Sequence, residues 1–217
     1  MFGLIRIAIS GIVFVVLYVP FRKKIAPTKL KKMSVILFAV VCIFGSMLLC
    51  LIPFENLFVN FDSAEASYDY FYMDNDGELL QIEGKNSTFV QKSQDITNTI
   101  VIVPKTEKGW KVPVGIYTKL VYNQVFEDFV VYVYQFRDTS DYYVCITANN
   151  KMVHTLTDEN GTVFVERQRQ VASYISLNVE YYAYVPDFKE NYTLIVNDEA
   201  VCLSEGNGIG IAVNRLN

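Results

Sequence analysis

Two long apolar runs open the chain, and the hydrophobic pattern changes after them. The first run covers residues 3–21 and is interrupted by Arg6, whereas the second covers residues 33–53 and holds no charged residue. Each run is close to the roughly 20 residues that a helix needs to cross a hydrocarbon core about 30 Å thick. The pattern therefore predicts two transmembrane helices, at about 3–21 and 33–53, that form a hairpin.

The segment between the runs, residues 22–32, contains six Lys or Arg residues and no acidic one. Short basic loops stay on the cytoplasmic side of a membrane. The chain is therefore predicted to pass twice through the cell membrane, with the bilayer as a partner and both termini extracytoplasmic. A cleavable signal peptide is disfavoured, because its positive charges would precede the apolar run rather than follow it. Residues 54–217 then form a separate extracytoplasmic domain.

The pattern after residue 54 predicts one short helix and then strands. Asp62-Ser63-Ala64-Glu65 has the acceptor and the Glu of a capping box, which indicates a helix that ends near Tyr72. From Glu78 onward, short β-branched and aromatic runs alternate with turn residues, as in an antiparallel sandwich or open barrel. The predicted strands cover 79–82, 88–91, 99–103, 110–114, 116–122, 126–137, 142–148, 152–157, 171–185, 192–196 and 201–203.

The predicted fold is therefore a two-helix transmembrane hairpin followed by an all-β, mainly antiparallel outer domain with one short helix at its start. The start of this outer domain also carries a resemblance. After a Pro53-Phe54-Glu55-Asn56 exit, the segment Phe61-Asp-Ser-Ala-Glu-Ala-Ser-Tyr-Asp-Tyr70 resembles the opening of small uncharacterised membrane-anchored proteins of Gram-positive bacteria. In those proteins a Ser-Pro-Glu-type helix start follows the anchor, and Ala64 stands where Pro is common. The resemblance covers residues 53–72; it implies an extracytoplasmic bacterial location and no particular activity.

Charge divides the chain in the same place. Residues 1–54 contain seven basic residues and no acidic one, which leaves 12 basic and all 23 acidic residues for the remainder. Nucleic-acid binding relies on clustered Lys and Arg that neutralise phosphates. An acidic outer domain therefore excludes nucleic acid as a partner.

Tyrosine is the residue type that points to a binding surface. A register built on turns at 138–141 and 149–150 places Tyr134 opposite Cys145, and Cys145 opposite His154. One face of this meander is apolar core, with Phe129, Val131, Val133, Val144, Ile146 and Val153. Tyrosine suits binding surfaces because it combines rigid contact area with a polar tip, although it also suits half-buried strands. The candidate binding residues on the other faces are Tyr132, Tyr134, Tyr143, Tyr174, Tyr182 and Tyr184.

The cysteines and the single histidine give weaker signals. Cys145 and Cys202 are the only cysteines after the apolar runs, and an oxidising compartment would allow a disulfide between them. Two buried free thiols are the alternative. Cys145 beside His154 has the residue types of a nucleophile and base, but no third orienting group is evident, so thiol catalysis is disfavoured. One His and two outer Cys are too few for a zinc site, and no metal or cofactor is predicted.

These observations predict a membrane-tethered extracytoplasmic binding or accessory module that is not an enzyme, with a membrane or surface protein as its candidate partner. The alternative is a small extracytoplasmic hydrolase that uses paired carboxylates. A concave pocket with converging acids would favour the hydrolase, whereas a flat tyrosine face would favour the binding module.

Overall fold

The computed structural model describes residues 11–20 and 36–45 with gaps, and then 53–72, 77–94, 97–113, 117–137, 139–149, 152–169, 178–186, 188–189 and 191–203. A 3-10 turn, Phe54–Leu57, precedes helix α1, Ala64–Tyr72. The strands that follow are β1 Glu78–Glu83, β2 Ser87–Gln94, β3 Thr97–Thr106, β4 Gly109–Trp110, β5 Thr118–Val125, β6 Phe129–Phe136, β7 Asp141–Asn149, β8 Leu156–Asp158, β9 Val165–Arg169, β10 Asn178–Pro186, β11 Tyr192–Val196 and β12 Glu199–Leu203.

The strands form three sheets in the described part of the chain, and their pairings are antiparallel. The first sheet is a meander, β1-β2-β3-β4; the central sheet has the order β5-β6-β7-β10-β9; the third sheet has the order β12-β11-β8. Strands from later in the sequence complete one side of the central sheet, because β10 pairs with both β7 and β9. The predicted antiparallel, sandwich-like β structure is confirmed.

Both faces of the central sheet are covered. Because side chains alternate along a strand, Val131, Val144 and Ile146 point to one face, where they pack against residues of the third sheet such as Leu194. On the opposite face, Tyr143, Cys145 and Tyr182 pack against Phe89 and Ile102 of the first sheet. The predicted apolar core face is therefore confirmed, and the aromatic face is covered as well.

Helix α1 forms an outer layer on the first sheet. The Ser63 hydroxyl accepts a hydrogen bond from the Ala66 N–H at 3.0 Å, which satisfies one of the free donors of the first helical turn. Ala64 and Tyr68 are buried against the face of the first sheet that points away from the central sheet. The predicted short helix is confirmed, and the order of layers is α1, first sheet, central sheet and third sheet.

The predicted transmembrane hairpin requires correction. Within the described part of the chain, none of the helices combines the length and apolar character that crossing a membrane demands. The predicted two-pass localisation in the cell membrane depended on this hairpin and is wrong for the same reason. Arg6 and the basic segment 22–32 lie outside the described residues, and a domain boundary after residue 53 stays a prediction.

The predicted pairing of Cys145 with His154 is wrong. Cys145 lies between Tyr132 of β6 and Tyr182 of β10, while exposed His154 donates its backbone N–H to Asn197 Oδ1 at 2.7 Å. The β6–β7 register also differs by two residues from the predicted one, since Tyr134 pairs with Tyr143. The connection has the predicted length of four residues but begins one residue earlier, at Arg137, which has a φ of 51°, and the Thr139 N–H bonds to the Phe136 carbonyl. A register shift of two residues leaves each side chain on the same face of the sheet, so the predicted faces of β6 and β7 are correct.

Candidate binding site

The predicted tyrosine surface lies inside the molecule for the most part. Tyr143 and Tyr182 are 1% and 3% exposed between the first and central sheets. Tyr132, Tyr134 and Tyr184 are half-buried in the same layer, and the ring of Phe89 lies 5.5 Å from that of Tyr143 and 5.8 Å from that of Tyr182. Burial raises the pKa of Tyr134 to about 12. Tyr174 lies outside the described residues. These tyrosines contribute to an interlayer core, and little of their area is available to a ligand.

A buried carboxylate in this layer is fully occupied by structural hydrogen bonds. Asp141 Oδ2 accepts from the Asn86 backbone N–H at 2.6 Å and from the Ser87 hydroxyl at 2.9 Å, while Oδ1 accepts from the Tyr184 hydroxyl at 3.1 Å. A side chain at Gly84 would collide with the Tyr143 hydroxyl, so the β1–β2 turn needs glycine there to approach this closely. Asp141 therefore joins the β1–β2 turn to β7.

A second polar cluster lies between the same two sheets. The Tyr182 hydroxyl donates to Glu180 Oε2 at 2.6 Å, and Gln91 Nε2 lies 3.5 Å from the same oxygen. Burial and this bond to a carboxylate raise the pKa of Tyr182. Buried Arg167, directly across from Glu180 on β9, donates to the Glu78 carbonyl at 2.9 Å. These groups bind one another and hold β1 against the edge of the central sheet.

Cys145 and Cys202 are both free thiols. Cys145 is buried in the layer between the first and central sheets, and burial raises its pKa well above the ordinary value. Cys202 is half-buried on β12, whose neighbouring Val201 and Leu203 pack on the other face of the central sheet. The central sheet separates the two thiols, and this geometry corresponds to the free-thiol alternative rather than the disulfide. The buried, protonated Cys145 also lacks the features of a catalytic nucleophile.

Two neighbouring cavities lie at one end of the sandwich formed by the central and third sheets. Their volumes are about 430 and 180 Å³, and Lys189 lines both. The larger cavity is lined by Glu159, Asn160, Thr162, Val185, Pro186, Lys189 and Tyr192. The smaller cavity is lined by Lys119, Val121, Tyr122, Gln135, Tyr142, Phe188, Lys189 and Leu203. We call these two spaces together the paired cavities.

The floor of the paired cavities is one row of side chains across four strands of the central sheet. Lys119 pairs with Gln135, Gln135 with Tyr142, and Tyr142 with Val185. Residues directly opposite each other on antiparallel strands project to the same face, with Cβ atoms about 4.5–5.5 Å apart. Gln135 Nε2 donates to the Tyr142 hydroxyl at 3.0 Å and to the Thr139 carbonyl at 2.8 Å, which holds the row in place.

Phe188 is the centre of an aromatic wall between the paired cavities. Its ring centroid lies 5.0 Å from that of Tyr192, 5.7 Å from that of Tyr142 and 6.3 Å from that of Tyr122. These separations fall within the range of favourable aromatic pairs, about 4.5–7 Å. Burial, with a smaller contribution from Cys202, raises the pKa of Tyr122 to about 12, so this phenol stays neutral at physiological pH. The wall offers flat apolar surface with hydroxyl groups at its edges.

The β8–β9 turn, which forms one side of the larger cavity, is organised by Asp158. The Asp158 carboxylate accepts from the Thr162 N–H at 2.7 Å, the Thr162 hydroxyl at 2.6 Å and the Tyr192 hydroxyl at 2.6 Å. Burial acts to raise the pKa of Asp158, but the bonds from Thr162, Tyr192 and Asn160 outweigh it and lower the pKa. Burial, and then the hydrogen bond to the Asp158 carboxylate, raises the pKa of Tyr192. Asp158 thus fixes the turn to the start of β11.

The connection from β10 to β11 delivers Phe188 and Lys189 to the site. Strand β10 ends at Pro186, which has no N–H to continue a ladder. The Tyr192 N–H then bonds to the Lys189 carbonyl at 3.1 Å, around Asn191 at a φ of 67°. Asparagine tolerates this left-handed backbone better than most residues. The local chemistry of Pro and Asn therefore places an aromatic and a cationic side chain at the end of the sandwich.

None of the described tyrosines that the sequence suggested as binding residues lines the paired cavities. One sequence feature does indicate the paired cavities: a single Phe within an otherwise polar turn, in the segment Pro186-Asp-Phe-Lys-Glu-Asn191. Lys119, Gln135 and Tyr142 carry no such signal, because they meet only through strand pairing.

The chemistry available at the paired cavities is that of recognition. The walls offer aromatic faces, two ammonium groups and amide and hydroxyl groups, and Glu159 is the only carboxylate among the described lining residues. In the described part of the chain, no group of three His, Cys, Asp or Glu side chains is placed to hold a metal ion. Comparison of the chain with protein families, with curated proteins and with solved structures finds no match. The resemblance to bacterial membrane-anchored proteins stays a prediction.

Proposed function

We propose that this protein is a non-catalytic binding module whose ligand-binding site is the paired cavities. The observation that carries the proposal is the convergence of several elements on one concave region with an aromatic wall: strands β5, β6, β7, β10, β11 and β12, the β8–β9 turn and the β10–β11 connection. Ligand sites are concave, largely apolar and supplied with a few well-placed polar groups. The paired cavities are concave and supply both kinds of surface, with the rings of Phe188 and Tyr142 beside the polar groups of Lys119, Gln135 and Lys189.

The carboxylate hydrolase receives no comparable support. Paired-carboxylate hydrolysis needs two acids across a shared cleft, about 5–9.5 Å apart in glycosidases. Asp141 and Asp158 are buried and occupied by the hydrogen bonds that hold turns in place, and Glu180 accepts from Tyr182. Glu159 lines the larger cavity without a second acid among the described lining residues. A protein partner stays a prediction.

Ligand-observed NMR with a mixed set of small compounds tests the proposal. The set would contain amino acids, organic acids, amines and monosaccharides, added to the full chain and to Phe188→Ala. Truncating an aromatic anchor in a binding site costs about 2 kcal/mol or more, so we expect Phe188→Ala to weaken each bound compound by at least about tenfold.

Phe58→Ala is the matched control, because Phe58 is 80% exposed and belongs to neither cavity. It should bind the same compounds with unchanged affinity, and both variants should show a cooperative thermal transition. Unchanged binding by a folded Phe188→Ala would contradict the proposal, as would the absence of binding by the unmodified chain.

A further inference from the structure

The smaller of the paired cavities has a one-sided electrostatic character. Lys119 and Lys189 both line it, and its described lining residues include no Asp or Glu. Neither lysine forms an ion pair with another described residue. Asp187 and Glu190 flank Lys189 in the sequence and lie outside the described residues. In a domain with an excess of acidic residues, two lysines at one small cavity are an exception to the overall charge.

The Tyr142 hydroxyl, a neutral polar group of this cavity, also favours an acceptor. Gln135 uses both N–H bonds of its amide, toward the Thr139 carbonyl and the Tyr142 hydroxyl oxygen. Since the Tyr142 oxygen already accepts this bond, its own O–H remains available to donate. A phenol contributes one donor and each ammonium contributes three. The polar side of the cavity therefore consists mainly of donors and positive charge.

The rest of the cavity wall is apolar and limits the size of what can enter. Val121, Phe188 and Leu203 supply this surface, and the volume is about 180 Å³. An engineered apolar cavity of about 150 Å³ is large enough to bind benzene. The cavity can therefore hold a body of about one aromatic ring, with a charged head group at the side where the lysines lie.

We propose that the smaller cavity binds a small organic anion, with an anionic head group between Lys119 and Lys189 and a compact apolar body against Phe188. This inference rests on the proposed binding function and specifies the chemical class of the ligand. Tyr142 donates its O–H to the same head group. The larger cavity, which Glu159 and Lys189 both line, then accommodates whatever polar extension the natural ligand carries.

Three benzene derivatives of nearly equal size test the inference: benzoate, benzamide and benzylamine. They would be titrated into the full chain with ¹³C-labelled Val and Leu methyl groups, and the shifts of Val121 and Leu203 would give the affinities. We expect benzoate to bind about tenfold more tightly than benzamide, and benzylamine to bind more weakly than either. Exposed ion pairs contribute up to about 1 kcal/mol, so Lys119→Met and Lys189→Met should each weaken benzoate roughly threefold to fivefold and leave benzamide unchanged.

Lys108→Met is the matched control, because Lys108 is an exposed residue of the β3–β4 turn that lines neither cavity. It should leave benzoate affinity unchanged. Tyr142→Phe retains the ring and should weaken benzoate but not benzamide. Inorganic phosphate has an anionic group but no apolar part, so it should bind more weakly than benzoate. Raising the salt concentration should weaken benzoate selectively, since ions screen exposed charges.

Equal affinity for benzoate and benzamide, or a lysine variant that binds benzoate as the unmodified chain does, would overturn the anion preference. Phosphate that binds as tightly as benzoate would overturn the role of the apolar body. If benzamide or another neutral compound still shifts Val121 and Leu203, the binding function survives while the anion preference fails. If no compound of the mixed set shifts either methyl signal, both proposals fail.

Discussion

At the residue scale, the buried carboxylates act as acceptors that fix turns. Asp158 accepts three hydrogen bonds from its own turn and one from Tyr192 of β11, and Asp141 accepts from the β1–β2 turn and Tyr184. Buried polar groups are stable only when hydrogen-bonded, so such residues mark the points where loops are held. Sequence alone predicts a turn at Glu159-Asn160-Gly161. It does not predict that Asp158 reaches Tyr192, because this contact joins residues 34 positions apart.

The lowered pKa of Asp158 predicts a pH dependence of stability. An unfolded Asp has a pKa of about 3.9, and the folded-state pKa lies below its ordinary value. Asp158 therefore contributes stability above about pH 4, and this contribution is lost as the pH falls through the folded pKa. Asp158→Asn should be about 1–3 kcal/mol less stable than the unmodified chain at neutral pH, with a difference that shrinks below pH 4.

Urea unfolding between about pH 2 and pH 7 would measure this difference. Asp198→Asn, at an exposed position in the β11–β12 turn, is the control and should leave the pH dependence unchanged. A difference between Asp158→Asn and the unmodified chain that stays constant across this range would refute the role of the Asp158 charge.

At the element scale, alternation along a strand can be predicted from sequence, but the partner strand cannot. Val131, Val133 and Val144 were assigned to the core by their period of two, and they lie there. The same pattern placed residues 152–157 beside β7, a position that β10 occupies in the structure. Either neighbour satisfies the apolar face of β7, so periodicity does not discriminate between them. The choice depends on long-range contacts such as the Tyr182–Glu180–Gln91 cluster.

The attachment of the β1–β2 turn to β7 gives a prediction at this scale. Asp141→Ala removes the acceptor for the buried Ser87 hydroxyl and for the half-buried donors of Asn86 and Tyr184. Each unsatisfied buried group costs about 1–3 kcal/mol, so we expect a loss of roughly 3 kcal/mol after partial rearrangement. Glu107→Ala, on the exposed β3–β4 turn, should change stability by less than about 0.5 kcal/mol. Chemical denaturation measures both. Equal stability of the two variants would mean that Asp141 does not hold the turn.

At the scale of the whole molecule, the layered arrangement decides which surfaces are free. Tyr132 and Tyr134 share a face with Tyr143, as their spacing predicted. Tyr182 and Tyr184 of β10 join them there, and the first sheet covers that face. Tyrosine is compatible with either a covered or an open face, and composition does not reveal whether another sheet is available to cover it. The hairpin prediction rested on hydropathy, which reports the preference of side chains for apolar surroundings, and no helix of the described residues is long and apolar enough to cross a membrane. The paired cavities arise where strands distant in sequence end together.

The central claim is that ligands bind at the end of the sandwich and not on the tyrosine face. A methyl NMR spectrum of the full chain, labelled at Ile, Leu and Val and titrated with benzoate, tests it most directly. The account predicts the largest shifts at Val121 and Leu203 in the smaller cavity, and no change at Leu80 and Ile100 between the first and central sheets. Shifts at Leu80 and Ile100 with none at Val121 and Leu203 would contradict it.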